Sequence, residues 1–78
     1  MDGKILKVLK GINDQILLND LNTNLIEEGL IDSFDIINVI SELEQEFDIE
    51  FEATDIVEEN FSTILAIINI VNVKLSNK

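Results

Sequence analysis

Three stretches of this chain repeat one apolar spacing. Ile5, Leu9, Ile12 and Ile16 recur at i, i+4, i+7 and i+11, and so do Ile36, Ile40, Leu43, Phe47 and then Ile64, Ile68, Val71, Leu75. A period near 3.6 residues puts each set on one side of a helix. Three such stripes, with no pair of alternating segments to form a ladder, must be buried against one another. That predicts an all-α fold, a helical bundle with three longer helices and one short one.

The punctuation between the stripes gives the expected boundaries. Asp2 is a candidate cap for a first helix to about Leu17, with Leu6 and Val8 flanking its stripe and Lys4, Lys7 and Lys10 on a solvated side. Gly11 inside it costs about 1 kcal/mol relative to Ala. Asn19 to Asp32, rich in Asn, Asp, Glu and Gly, reads as loop, pinned to the core by Leu21, Leu25, Ile26, Leu30 and Ile31, with room for a helical turn around Leu25 to Gly29. It is long for a connection in a bundle, where about 2 to 8 residues are usual, and long ordered loops are often functional.

The second helix is expected from the Asp32-Ser33 step to Phe47, with either residue as its cap, Asp35 favourable in the first turn and Val39 widening the stripe. At 100° per residue, Phe34, Asn38, Ser41 and Gln45 fall opposite the stripe, with Ile37 and Glu44 at its border. Asp48 to Ala53 reads as an acidic linker held inward by Ile49 and Phe51. Thr54 or Asp55 then caps a short third helix to about Glu59, which Asn60 ends. Ser62 caps a fourth helix to about Leu75, where Ile67, Ile70 and Val73 spread apolar character around the cylinder. Residues 1–78 read as a single domain whose apolar content, 46% of the chain, suffices for a core without staples.

Charge and missing chemistry narrow the function. The net charge is −11, with no Lys or Arg between Gly11 and Val73, while fourteen Asp and Glu lie between Asn19 and Glu59. Such a surface repels phosphate backbones and anionic lipid heads and attracts basic protein surfaces, so no nucleic-acid or membrane partner is expected. The apolar residues near the N-terminus are interrupted by lysines, unlike a signal peptide, and a reducing cytoplasm suits a chain without Cys. There is also no His, Tyr, Trp or Arg, which removes the usual acids, bases and nucleophiles. No catalytic residues are expected, and the chain reads as a monomeric non-enzyme.

One reactive group is well placed. Ser33 follows the long loop at the mouth of a helix, beside Asp32 and an exposed-looking Phe34. A serine there is ordinarily a cap, but a phosphodiester on it would meet the positive end of the helix dipole. Phe34 and Ile37 among carboxylates form what a docking face needs.

The run Gly29-Leu30-Ile31-Asp32-Ser33-Phe34-Asp35 resembles the signature of the acyl and peptidyl carrier proteins, and Glu42 to Phe51 is similar to the end of the second helix and the following loop of acyl carriers. The resemblance implies a four-helix bundle in which Ser33, beside Asp32, bears phosphopantetheine installed from coenzyme A by a phosphopantetheinyl transferase. It further implies acyl or aminoacyl groups held as thioesters on that arm. Partner ligases or synthases with basic docking surfaces would then meet Phe34, Asp35, Ile37, Asn38, Ser41, Glu44 and Gln45. Phe34 stands where fatty-acid carriers usually have Leu, and Asn38 where they usually have Glu, which turns the expectation toward a specialised pathway such as that of the stand-alone D-alanyl carriers. Peptidyl carriers within large synthetases often have His in place of Asp32.

Two readings from other classes stay open at this point. In one, the chain is a plain acidic helical interaction module. In the other, Asp48, Glu50, Glu52, Thr54 and Glu59 occupy ligand positions of an EF-hand-like calcium loop, although Ala53 stands where glycine makes the turn and Asp55 where an apolar residue belongs. No metal site is expected.

Overall fold

The spacing of the apolar stripes decides the architecture. A computed structural model describes residues 2–78 without the Asp2 side chain, so the cap expected at Asp2 lies outside the described residues. Helices α1 (Asp2–Ile12), α2 (Ser33–Phe47), α3 (Glu58–Phe61) and α4 (Ile64–Ser76) make an all-α bundle, joined by a 3-10 helix at Asp14–Leu18. Three are long and the third is short, as expected, and among the described residues there is no strand. Among the described residues no helix is long and apolar enough to cross a membrane.

Each stripe faces one shared core. Ile5 and Leu9 of α1, Val39, Ile40 and Leu43 of α2, and Ile64, Ile67, Ile68 and Val71 of α4 are buried together with Phe61 of α3. The Phe51 and Phe61 rings meet edge to face, centroids 5.6 Å apart at 80°, the geometry in which a positive ring edge meets a negative face. The linker is anchored by Ile49 and Phe51 as expected. Its chain turns out of α2 through Asp48, left-handed at φ 54°, whose N–H returns to the Glu44 carbonyl.

Several boundaries differ from expectation. The first helix stops at Ile12 rather than near Leu17, because Asn13 goes extended (φ −158°) and begins the 3-10 helix. Its Oδ1 accepts the Gln15 N–H at 2.9 Å and its Nδ2 donates to the Leu30 carbonyl at 3.0 Å. A short side chain that bonds locally to backbone competes with helix propagation, and Gly11, two residues before it, is a poor helix former. Ile16 is nevertheless buried, so the stripe outlasts the α-helix.

The third helix begins at Glu58, after Val57, and not at Thr54 or Asp55. The Ala53–Asp55 segment is a turn, and Asn60 lies within the helix and does not end it. Thr63 rather than Ser62 caps α4, its Oγ1 accepting the Ala66 N–H at 3.0 Å, while Ser62 is buried and donates to the Glu59 carbonyl. Ile67 belongs to the core, whereas Val73 is exposed.

The long loop is tied down at both ends. The Leu25 N–H donates to the Ser62 carbonyl at 2.7 Å and the Leu65 N–H to the Leu21 carbonyl at 3.1 Å, so residues 21–25 run alongside the α3–α4 junction. Leu25 and Ile31 are buried, Ile26 and Leu30 partly so, but Leu21 is exposed, contrary to the expected anchor. Asn24 to Leu30 forms hydrogen-bonded turns closed by Gly29 at φ 74°, where a side chain would strain the backbone.

Two ion pairs link α4 and the residues just after it to the acidic segment that follows α2. Lys74 pairs closely with Asp55, and Lys78 lies 3.4 Å from Asp48 while donating to the Phe47 carbonyl. The Lys74 bond, followed by the Glu52 N–H, holds the Asp55 carboxyl below its ordinary value of 3.8, and the same bond raises Lys74 above 10.5. A lowered carboxyl contributes stability above its unfolded value and loses it as pH falls through the folded one. A raised ammonium contributes below its unfolded value and loses that as pH rises through the folded one. The pair therefore acts across the whole range between them. A carboxyl-carbon NMR titration should place the Asp55 midpoint below 3.8, and Lys74→Met should move it upward; an unmoved midpoint would contradict this cause.

Candidate functional site

The start of α2 is built by two carboxylates. Asp32, extended at φ −122°, accepts the Asp35 N–H on Oδ1 at 2.9 Å, and Asp35 Oδ2 accepts the Asp32 N–H at 3.2 Å. The reciprocal capping box satisfies two backbone donors and puts negative charge at the positive end of the helix dipole. Of the two residues that could cap this helix, Asp32 does so. Ser33 is therefore the first helical residue, exposed, and among the described residues nothing takes up its hydroxyl.

Around that hydroxyl the surface is apolar. Phe34 and Ile37 keep 70% and 64% of their accessible surface, far more than side chains committed to a core. Ser33 also borders an open groove of about 320 Å³ lined by Ile26, Ile36, Ile37, Ile56, Val57 and Glu58. The groove brings together the long loop, α2 and the segment leading into α3. Ile26, Ile56 and Val57 were not singled out as site residues in the sequence. The available signal was a pair of adjacent apolar residues, Ile56-Val57, in an acidic stretch that supplies no helical stripe.

The expected docking residues divide by task. Phe34, Ile37, Ser41 and Gln45 are exposed along α2, and Asn38 is half-buried between them. Asp35 is occupied by the capping box. Glu44 is half-buried, and its Oε2 accepts the Phe51 N–H at 3.0 Å, so it braces the acidic linker.

No imidazole, thiol or guanidinium exists in the chain to activate Ser33. Among the described residues no group of three or more carboxylates could hold a metal ion, and Asp55, within the span considered for calcium, is paired with Lys74. The carboxylates beside Ser33, Asp32 and Asp35, are engaged with each other's backbone N–H in the capping box. A phosphate-linked group has room there, since the Ser33 side chain is exposed and borders the groove.

The family model of the phosphopantetheine attachment site matches residues 4–71, and the chain belongs to that family. It is a phosphopantetheine-bearing carrier protein, its cofactor covalently attached. Carriers of this kind meet a phosphopantetheinyl transferase and biosynthetic enzymes. Among curated proteins none matches the chain.

Asp32→Ala should remove the cap from α2 and cost about 1 kcal/mol in urea unfolding. An unchanged unfolding midpoint would show that the capping box contributes nothing to this helix.

Proposed function

We propose that Ser33 is the attachment point of the phosphopantetheine arm, and that the protein shuttles acyl or aminoacyl groups between partner enzymes without catalysing a reaction itself. The observation that carries this is the free, exposed Ser33 hydroxyl at the first position of α2, released from capping by Asp32. When bound, the arm supplies the thiol on which cargo is held as a thioester. Ser33 Oγ would hold it, and Asp32 would fix the turn that presents that oxygen. Proton transfer during attachment falls to the transferase, since the chain has no group suited to it.

Docking would use the exposed Phe34 and Ile37, with Ser41 and Gln45 further along α2 and Asn38 between them. The surrounding carboxylates would draw basic surfaces of the transferase and of loading ligases or synthases, giving fast encounter and ready release. Phe34 and Asn38 support a specialised pathway over primary fatty-acid synthesis, and a cytoplasmic monomer over residues 1–78 fits the scheme.

Incubation with coenzyme A and a promiscuous phosphopantetheinyl transferase should raise the protein mass by one phosphopantetheine, and Ser33→Ala should stay unmodified. Persistence of the unmodified wild-type mass, with a control carrier converted alongside, would sink the proposal. Binding to the transferase should weaken steadily between low and high salt and fall further in Phe34→Ala. Salt-independent binding would count against electrostatic docking.

A further inference from the structure

Nine residues, 52 to 60, separate two buried phenylalanines, Phe51 and Phe61, and none of the nine is buried. Ile56 and Val57, which wall the groove beside Ser33, keep 47% and 39% of their accessible surface. Neither side chain belongs to the core cluster, and α3 has no side-chain cap at Val57.

What holds it is polar and centred on one residue. Asp55 Oδ2 accepts the Glu52 N–H at 2.8 Å, and the Asp55 carbonyl accepts the Val57 N–H and Asn60 Nδ2, both at 2.9 Å. These bonds shape the segment but stay inside it. Among the described residues, the ion pair that ties it to another element is made by Lys74 of α4, which reaches Asp55 with 15% of its side-chain surface left exposed against 18% for Asp55. Water screens so enclosed a pair far less than it does Lys78 and Asp48, at 46% and 97%. Lys74 offsets one of the six carboxylates from Asp48 to Glu59, and their mutual repulsion grows once the pair is broken.

We propose that the Lys74–Asp55 ion pair is a latch that holds the Ile56-Val57 wall against the bundle and so sets how far the groove beside Ser33 opens. Closed, the wall keeps Ile56 and Val57 facing Ile26 and Ile36 across the groove. Released, the segment swings between its fixed ends at Phe51 and Phe61 and uncovers apolar surface. A basic partner group that competed for Asp55 would open the groove on docking. That consequence rests on the attachment at Ser33 proposed above, whereas the latch itself can be tested in the unmodified chain.

The test uses the unmodified protein and its Lys74→Met, Lys74→Arg and Lys78→Met variants. Amide ¹⁵N relaxation should give Ile56 and Val57 order parameters near ~0.85 in wild type, falling below ~0.6 in Lys74→Met. Lys74→Arg and Lys78→Met should stay near wild type, and Leu43 and Ile67 in the core should not change. The neutral dye N-phenyl-1-naphthylamine should fluoresce more strongly with Lys74→Met as apolar surface opens. The latch is overturned if Val57 stays equally ordered in Lys74→Met, or if it is already mobile in wild type. Loss of order that spreads equally to Leu43 and Ile67, or dye fluorescence that does not rise, overturns it too. Loading of wild-type Ser33 by the transferase is a separate readout, so failure of the attachment and failure of the latch are told apart.

Discussion

Burial of three isoleucine-rich stripes in one core is the constraint on which everything else in this protein rests. The chain has 78 residues, and a domain of that size can hide only about 60% or slightly more of its unfolded surface. Helices alone do not close such a core. Leu25 and Ile31 from the long loop and Ile49 and Phe51 from the acidic linker fill the gaps, so connections that look like spacers act as walls. The backbone bonds from Leu25 to Ser62 and from Leu65 to Leu21 follow from that role, since a loop that contributes to a core must also have its amides satisfied.

The ordering of the loop determines where Ser33 stands. Asn13 fastens to Leu30, Gly29 makes the left-handed turn, Ile31 is buried, and the next residue, Asp32, caps α2. Each step leaves less freedom to the one after it. A serine following a capping aspartate is carried by the end of a helix, yet its hydroxyl is not used in holding that end. Rigidity of the mount and freedom of the oxygen come from the same two-carboxylate box.

Charge is distributed with similar economy. Lys4, Lys7 and Lys10 lie on α1, and the remaining two cations, both near the end of α4, face the acidic segment after α2. Lys4 and Lys7 share a cleft with Glu42 and Glu46 of α2, and the chain as a whole keeps a net charge of −11, the condition for attracting basic proteins at long range. The acidic stretch after α2 is braced by the Phe51 N–H donating to Glu44 and by the Lys74–Asp55 pair.

Periodicity by itself determined the helical class, the stripes and the approximate extent of α2 and α4, because an apolar repeat of 3.6 residues has few other solutions. The order Asp-Ser before the second stripe likewise located the candidate site, and a resemblance supplied its cofactor. The ends of helices were another matter. Asn13, Ser62 and Thr63 are all plausible caps or interior residues by composition, and only their partners, the Leu30 carbonyl, the Glu59 carbonyl and the Ala66 amide, decide which they are. Asp32 rather than Ser33 as the cap is settled by the reciprocal bonds with Asp35, and the groove joining Ile26 to Ile56 and Val57 depends on residues distant in the chain meeting in space. Side-chain periodicity is a local property that survives in one dimension, whereas the partner of a polar group and the shape of a groove exist only once the bundle has closed.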